Sequence, residues 1–132
     1  MAPIYQSDDD TQGRLFCEIY VQSEEGENAF IEHVCALLSG SRSGNEVRTE
    51  WAVVQVFEND FAGKKFEDPK DSFLGYRYKI EFEFGSEMQI FREDYITNAG
   101  SLLTQLWDNG YKAVASCCFE EELPQNGGYK IM

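Results

Sequence analysis

Carboxylates are the chemical groups this chain supplies most freely: it carries 24 Asp and Glu against 11 Lys and Arg, a formal net charge of -13. Two dense runs, Asp8-Asp9-Asp10 and Glu120-Glu121-Glu122, have the right atoms for a hard cation. Neither has the spaced ligands and turn glycine of a calcium loop, so both read as solvated charge. His33, the only histidine, sits beside Glu32 with no nucleophile pattern near it and reads as a surface or boundary residue. Of the four cysteines, Cys17, Cys35 and Cys117 fall in apolar segments, and the vicinal Cys117-Cys118 pair is poorly placed for a mutual bridge. They read as reduced thiols used as small core residues, and one histidine is too few to complete a zinc set with them. Gly127-Gly128 lacks the strand-to-helix setting of a phosphate loop. The separation of any carboxylate pair suited to glycoside chemistry is a three-dimensional matter. No catalytic constellation emerges, and neither enzyme activity, cofactor nor metal is expected.

The acidity is distributed. Residues 1 to 66 hold 12 acids and 5 bases and residues 67 to 132 hold 12 acids and 6 bases, giving -7 and -6. Nucleic acid and anionic membranes are repelled by such a surface, whereas a basic protein is attracted and steered. The amino terminus has no basic region followed by an apolar core, and no apolar run is long enough for a membrane span, so a cytoplasmic protein is expected.

The elements that must carry these groups follow from periodicity. Residues 1–13 are polar and aperiodic and read as a flexible acidic arm. From Arg14 to Gln22, Leu15, Cys17, Ile19 and Val21 alternate with Phe16, Glu18, Tyr20 and Gln22, the pattern of a strand with one fully apolar face. Ser23-Glu24-Glu25 suits a helix amino terminus, and Phe30, Val34, Leu37 and Leu38 give a helical stripe that ends at Ser39-Gly40. Val47 to Glu58 predicts a strand of ambiguous register, and Tyr76 to Phe84 predicts one with an aromatic face opposite Arg77, Lys79, Glu81 and Glu83. A second helix opens at Arg92-Glu93-Asp94 and closes at Asn109-Gly110, followed by a strand from Tyr111 to Phe119. The domain spans residues 14–124, with 125–132 a carboxyl-terminal tail.

Strand, helix, strand, strand, helix, strand is the order of an α+β, ferredoxin-like split β-α-β fold: four mainly antiparallel strands with both helices on one face. The other face is then bare and displays Phe16, Tyr20, Glu81 and Glu83. The long Asn59–Gly75 connection adds Asp60, Phe61, Phe66, Glu67 and Asp68, which either pack on the domain or meet a partner. These nine residues are the candidate protein-binding surface: acids speed encounter and aromatics anchor. RNA-binding domains of this fold class carry aromatics on the two central strands. Phe16, Tyr20 and Gly75-Tyr76-Arg77-Tyr78 are faintly similar, but Lys79, Glu81 and the global charge oppose that use.

Ser72 to Tyr78, Leu102 to Ala115 and Phe119 to Pro124 resemble a group of small, largely uncharacterised bacterial proteins. In general build the chain is similar to the immunity proteins of bacterial toxin systems, which are small, acidic and cytosolic. That resemblance implies a partner toxin, often a basic nuclease, blocked by occlusion of its active site or an adjacent surface. It carries over no binding residues. The alternatives are a self-associating regulatory or stress-related subunit, a homodimer formed through Phe16 and Tyr20, a small enzyme with carboxylates in a cleft beneath the long loop, an acidic mimic of nucleic acid, and acidity that serves only solubility.

Overall fold

The structure is a computed structural model that describes residues 3–4, 16–83 and 90–131. The expected arm, including Asp8-Asp9-Asp10, lies outside the described residues apart from β1 (Pro3–Ile4). After it come β2 (Cys17–Gln22), α1 (Glu27–Leu38), β3 (Ser41–Ser43), β4 (Glu46–Arg48), β5 (Val53–Glu58), β6 (Tyr78–Glu83), β7 (Ile90–Phe91), α2 (Arg92–Asp108) and β8 (Lys112–Cys117). The fold is α+β. One antiparallel sheet has the order β3-β4-β5-β6-β2-β8, and β1 pairs with β7 in a separate two-stranded ribbon.

The sheet therefore has six strands, and the expected count of four is corrected. The difference arises between α1 and β5. Ser41 to Asn45 looks like a helix stop but forms a hairpin, with Ser41 opposite Arg48 and Ser43 opposite Glu46. Gly44, at φ +62°, supplies the left-handed residue of its two-residue turn. The expected single strand from Val47 to Glu58 is two strands that fold back on each other, pairing Val47 with Val54. Thr49 makes the reversal, its Oγ1 accepting from the amides of Trp51 at 3.1 Å and Ala52 at 2.9 Å.

Alternation along the strands sorts residues to two faces. On one, Cys17, Ile19, Val21, Val54, Val56, Tyr78, Ile80, Phe82, Ala113 and Ala115 join the main core. Phe30, Ile31 and Val34 of α1 and Tyr95, Ile96, Ala99, Leu102, Leu103 and Leu106 of α2 cover them, so both helices lie on this face. Ser23 does not cap α1: Gly26 holds that position, and the Ser23 hydroxyl instead accepts from the Glu25 amide at 3.1 Å.

The opposite face has a smaller core of its own, made of Tyr20, Val114 and Phe73 with Leu74, Tyr76 and Tyr129 packed around it. Phe73 comes from a 3-10 turn over Pro69–Gly75 and meets Tyr20 edge-on with centroids 5.3 Å apart. Tyr129 meets the other side of Phe73 at 5.5 Å. Of the expected tail, residues 125–132, the described part packs on the domain through Gly127, Gly128 and Tyr129. Gly127 and Gly128 lie buried against the Ala115 and Ala113 carbonyls, and the Trp107 indole donates to the Ala113 carbonyl at 2.9 Å. These contacts cover the outer edge of β8, which would otherwise offer backbone groups to another strand.

Candidate functional site

The helix-free face is built around β2 and β6, adjacent and antiparallel, with Glu18 opposite Glu81 and Tyr20 opposite Lys79. Two carboxylates facing each other across a ladder repel, and Lys79 offsets this. Its ammonium lies 2.9 Å from Glu18 and 4.0 Å from Glu81, above the rings of Tyr20 at 5.2 Å and Phe57 at 5.9 Å. Burial first, then the charges of Glu18 and Glu83, push the Glu81 carboxyl above its usual range against the pull of Lys79. Hydrogen bonding and charge from Glu18 hold Lys79 above its ordinary value although burial, the largest single influence, opposes this. Lys79 thus sits between Glu18 and Glu81, and the exposed Glu83 adds a third carboxylate further along β6.

Phe16 precedes β2 and is 42% exposed. The register puts it at the Glu83 end of this face, because Glu18 pairs with Glu81 and both chains extend the same way from there. Tyr20 lies on the same face but is covered by Phe73, so it is a support for the loop and not an open anchor.

The Asn59–Gly75 connection divides its phenylalanines. Phe73 packs on the sheet, Phe66 is half-buried, and Phe61 is 50% exposed with the Lys64 ammonium 4.9 Å from its ring. Buried Asn59 clasps the loop: its side-chain amide donates to the Leu74 carbonyl at 2.7 Å and the Tyr76 carbonyl at 2.9 Å, and its backbone amide to Arg77 at 2.7 Å. Gly63 donates to Gly75 at 2.9 Å across the loop. Asp60, Glu67 and Asp68 are exposed, and Asp68 also caps the 3-10 turn by accepting from the Lys70 amide at 2.9 Å. Apart from the covered Tyr20, the candidates therefore form two groups. Phe16, Glu81 and Glu83 lie toward one end of β2 and the loop residues at the other, about 20 Å away at roughly 3.3 Å per strand residue.

Two features escaped the sequence reading. Half-buried His33 joins Tyr111 and Glu25: the Tyr111 hydroxyl donates to a Glu25 carboxylate oxygen, and the His33 Nδ1 lies 2.5 Å from the phenolic oxygen. With the phenol proton directed at Glu25, Nδ1–H is the donor to the Tyr111 oxygen. Burial, then the Glu25 contact, raise the Tyr111 phenol well above its ordinary value, so it is a hydrogen-bonding strut and not a ready nucleophile. No sequence pattern announces this cluster, because its members come from the β2–α1 connection, α1 and the start of β8. The second feature is a cleft of about 580 Å³ between the loop, the end of α2 and β8, lined by Pro69, Ser72, Tyr76, Trp107, Tyr111 and Lys112 among others. Among the described residues that line it there is no carboxylate.

Among the described residues no helix is long and apolar enough to cross a membrane. No protein-family model, curated protein or solved structure matches this chain.

Proposed function

We propose that the chain is an acidic protein-binding domain of the immunity type, which neutralises a basic toxin, of which a nuclease is one kind, by covering its working surface. The observation that carries this reading is the exposed Phe16 at the Glu83 end of a face where Glu18 and Glu81 lie against Lys79 and Glu83 is exposed, in a chain of net charge -13. An apolar anchor beside these carboxylates suits a cationic protein partner, and the net negative charge of the chain repels nucleic acid. Phe61 with Asp60, Glu67 and Asp68 gives a second group of the same composition. A standard interface of about 800 Å² per partner is roughly 28 Å across, enough to include both groups. Self-association through Phe16 and Tyr20 is less well supported, since Phe73 already occupies Tyr20.

The order of the four long strands, β5-β6-β2-β8, supports reading the core as a ferredoxin-like split β-α-β unit with the β3–β4 hairpin added at one edge. A cytoplasmic setting belongs to the same reading. The test is co-expression with the product of the adjacent gene. Growth protected by the wild-type chain and lost with Glu81→Lys/Glu83→Lys supports the proposal; absence of any complex or protection refutes it.

A further inference from the structure

Cys17 and Cys117 are direct cross-strand partners in the β2–β8 ladder. Directly opposite residues of an antiparallel pair have Cα atoms about 4.5 to 5.5 Å apart, inside the roughly 4.4 to 6.8 Å range that a disulfide spans. Both side chains point to the helix-covered face, where Cys17 has no exposure and Cys117 is half-buried at the margin of the core. Both thiols are free. Cys118 is exposed and lies in the turn that follows β8.

We propose that Cys117 is a hydroperoxide-reactive thiol and Cys17 its resolving partner, together forming a reversible disulfide that ties β2 to β8. The two thiols are unequal in the sense this requires. Hydrogen bonds from the Cys17 thiol and the Phe119 amide lower Cys117, against burial and the charges of Glu120 and Glu122, while Cys17 is raised well above its usual value. The Cys117 thiolate is the nucleophile and Cys17 keeps its proton until it is needed. In the first step Cys117 Sγ attacks a peroxide oxygen; the O–O bond breaks, an S–OH group forms, and the leaving oxygen departs as water or alcohol after taking up a proton. In the second, Cys17 Sγ attacks Cys117 Sγ and displaces hydroxide, which leaves as water with the Cys17 proton. Two electrons from the two thiols reduce one peroxide. In a reducing compartment such a bridge forms transiently, as suits a regulatory link. The bridge would stiffen the strand pair that places Glu18 opposite Ser116 and Tyr20 opposite Val114 on the helix-free face.

The experiment exposes the native chain to hydrogen peroxide, blocks remaining thiols with iodoacetamide, and maps peptides without reduction. The expected result is loss of two of the four thiols, a mass about 2 Da lower before alkylation, and a Cys17–Cys117 peptide that dithiothreitol abolishes. Cys118→Ser should still form the bridge, and Cys17→Ala should stop at a dimedone-reactive Cys117. Oxidation confined to Cys118, a Cys117–Cys118 bridge, or survival of all four thiols at doses that oxidise free cysteine would overturn the proposal.

Discussion

Replacing Phe73 by Ala removes the side chain that holds the long loop on the helix-free face. Phe73 is 5% exposed and lies edge-on to both Tyr20 and Tyr129. A buried aromatic covers about 150 to 250 Å², which at roughly 25 cal/mol per Å² sets a ceiling of about 4 to 6 kcal/mol. Residual structure in the unfolded chain and the burial retained by Ala reduce this, and the small cluster can partly collapse, so a loss of about 3 kcal/mol is expected. With an unfolding entropy of about 2.1 cal/mol/K per residue over 132 residues, Tm falls by about 10 °C. Urea unfolding followed by Trp51 and Trp107 fluorescence measures the loss, and amide exchange should accelerate from Asn59 to Gly75. Phe61→Ala, at a position that is half exposed, should stay within about 0.5 kcal/mol of the wild type. A Phe73→Ala loss under about 1 kcal/mol with unchanged exchange would show that the loop does not depend on this contact.

Three further outcomes follow from the packing and electrostatics. Because burial and neighbouring carboxylates raise the folded-state Glu81 carboxyl, its contribution to stability is fully present below the unfolded value and is lost as pH rises through the folded one. Glu81→Gln should therefore be the more stable protein at neutral pH and flatten this part of the profile; equal melting curves from mildly acid to neutral pH would contradict the assignment. Gly128→Ala places a Cβ 2.7 Å from the Ala113 carbonyl and 3.3 Å from the Trp107 ring at φ +107°, and should cost more than about 2 kcal/mol by thermal melting, whereas Gly26→Ala, with open space around it, should cost about 1 kcal/mol or less, through the cap of α1 alone. Tyr111→Phe loses the bonds to Glu25 and His33 and should cost about 1 to 2 kcal/mol in chemical denaturation.

The four long strands and both helices were legible because their apolar positions repeat with the period of the element and face one core. Tyr20 shows where this stops. Alternation gives its face correctly, but its cover, Phe73, comes from an aperiodic loop 53 positions later, and no local pattern encodes that contact. The β3–β4 hairpin was missed for a different reason. Its strands are three residues each and polar at most positions, so they have no period to detect; the Gly44-Asn45 pair was the usable signal. The candidate acids were legible as composition, while their division into two groups depended on register and loop path. Asn59 resembles any loop asparagine until the carbonyls of Leu74 and Tyr76 are brought to it.

The central claim is that the carboxylates of the helix-free face, in a chain of net charge -13, recruit a basic partner, and association kinetics with the purified product of the adjacent gene test it most directly. The account predicts fast association at low salt that slows steeply as salt rises, and a Glu81→Lys/Glu83→Lys variant that associates slowly with little salt dependence. Equal association rates and equal salt dependence for the two proteins would contradict it.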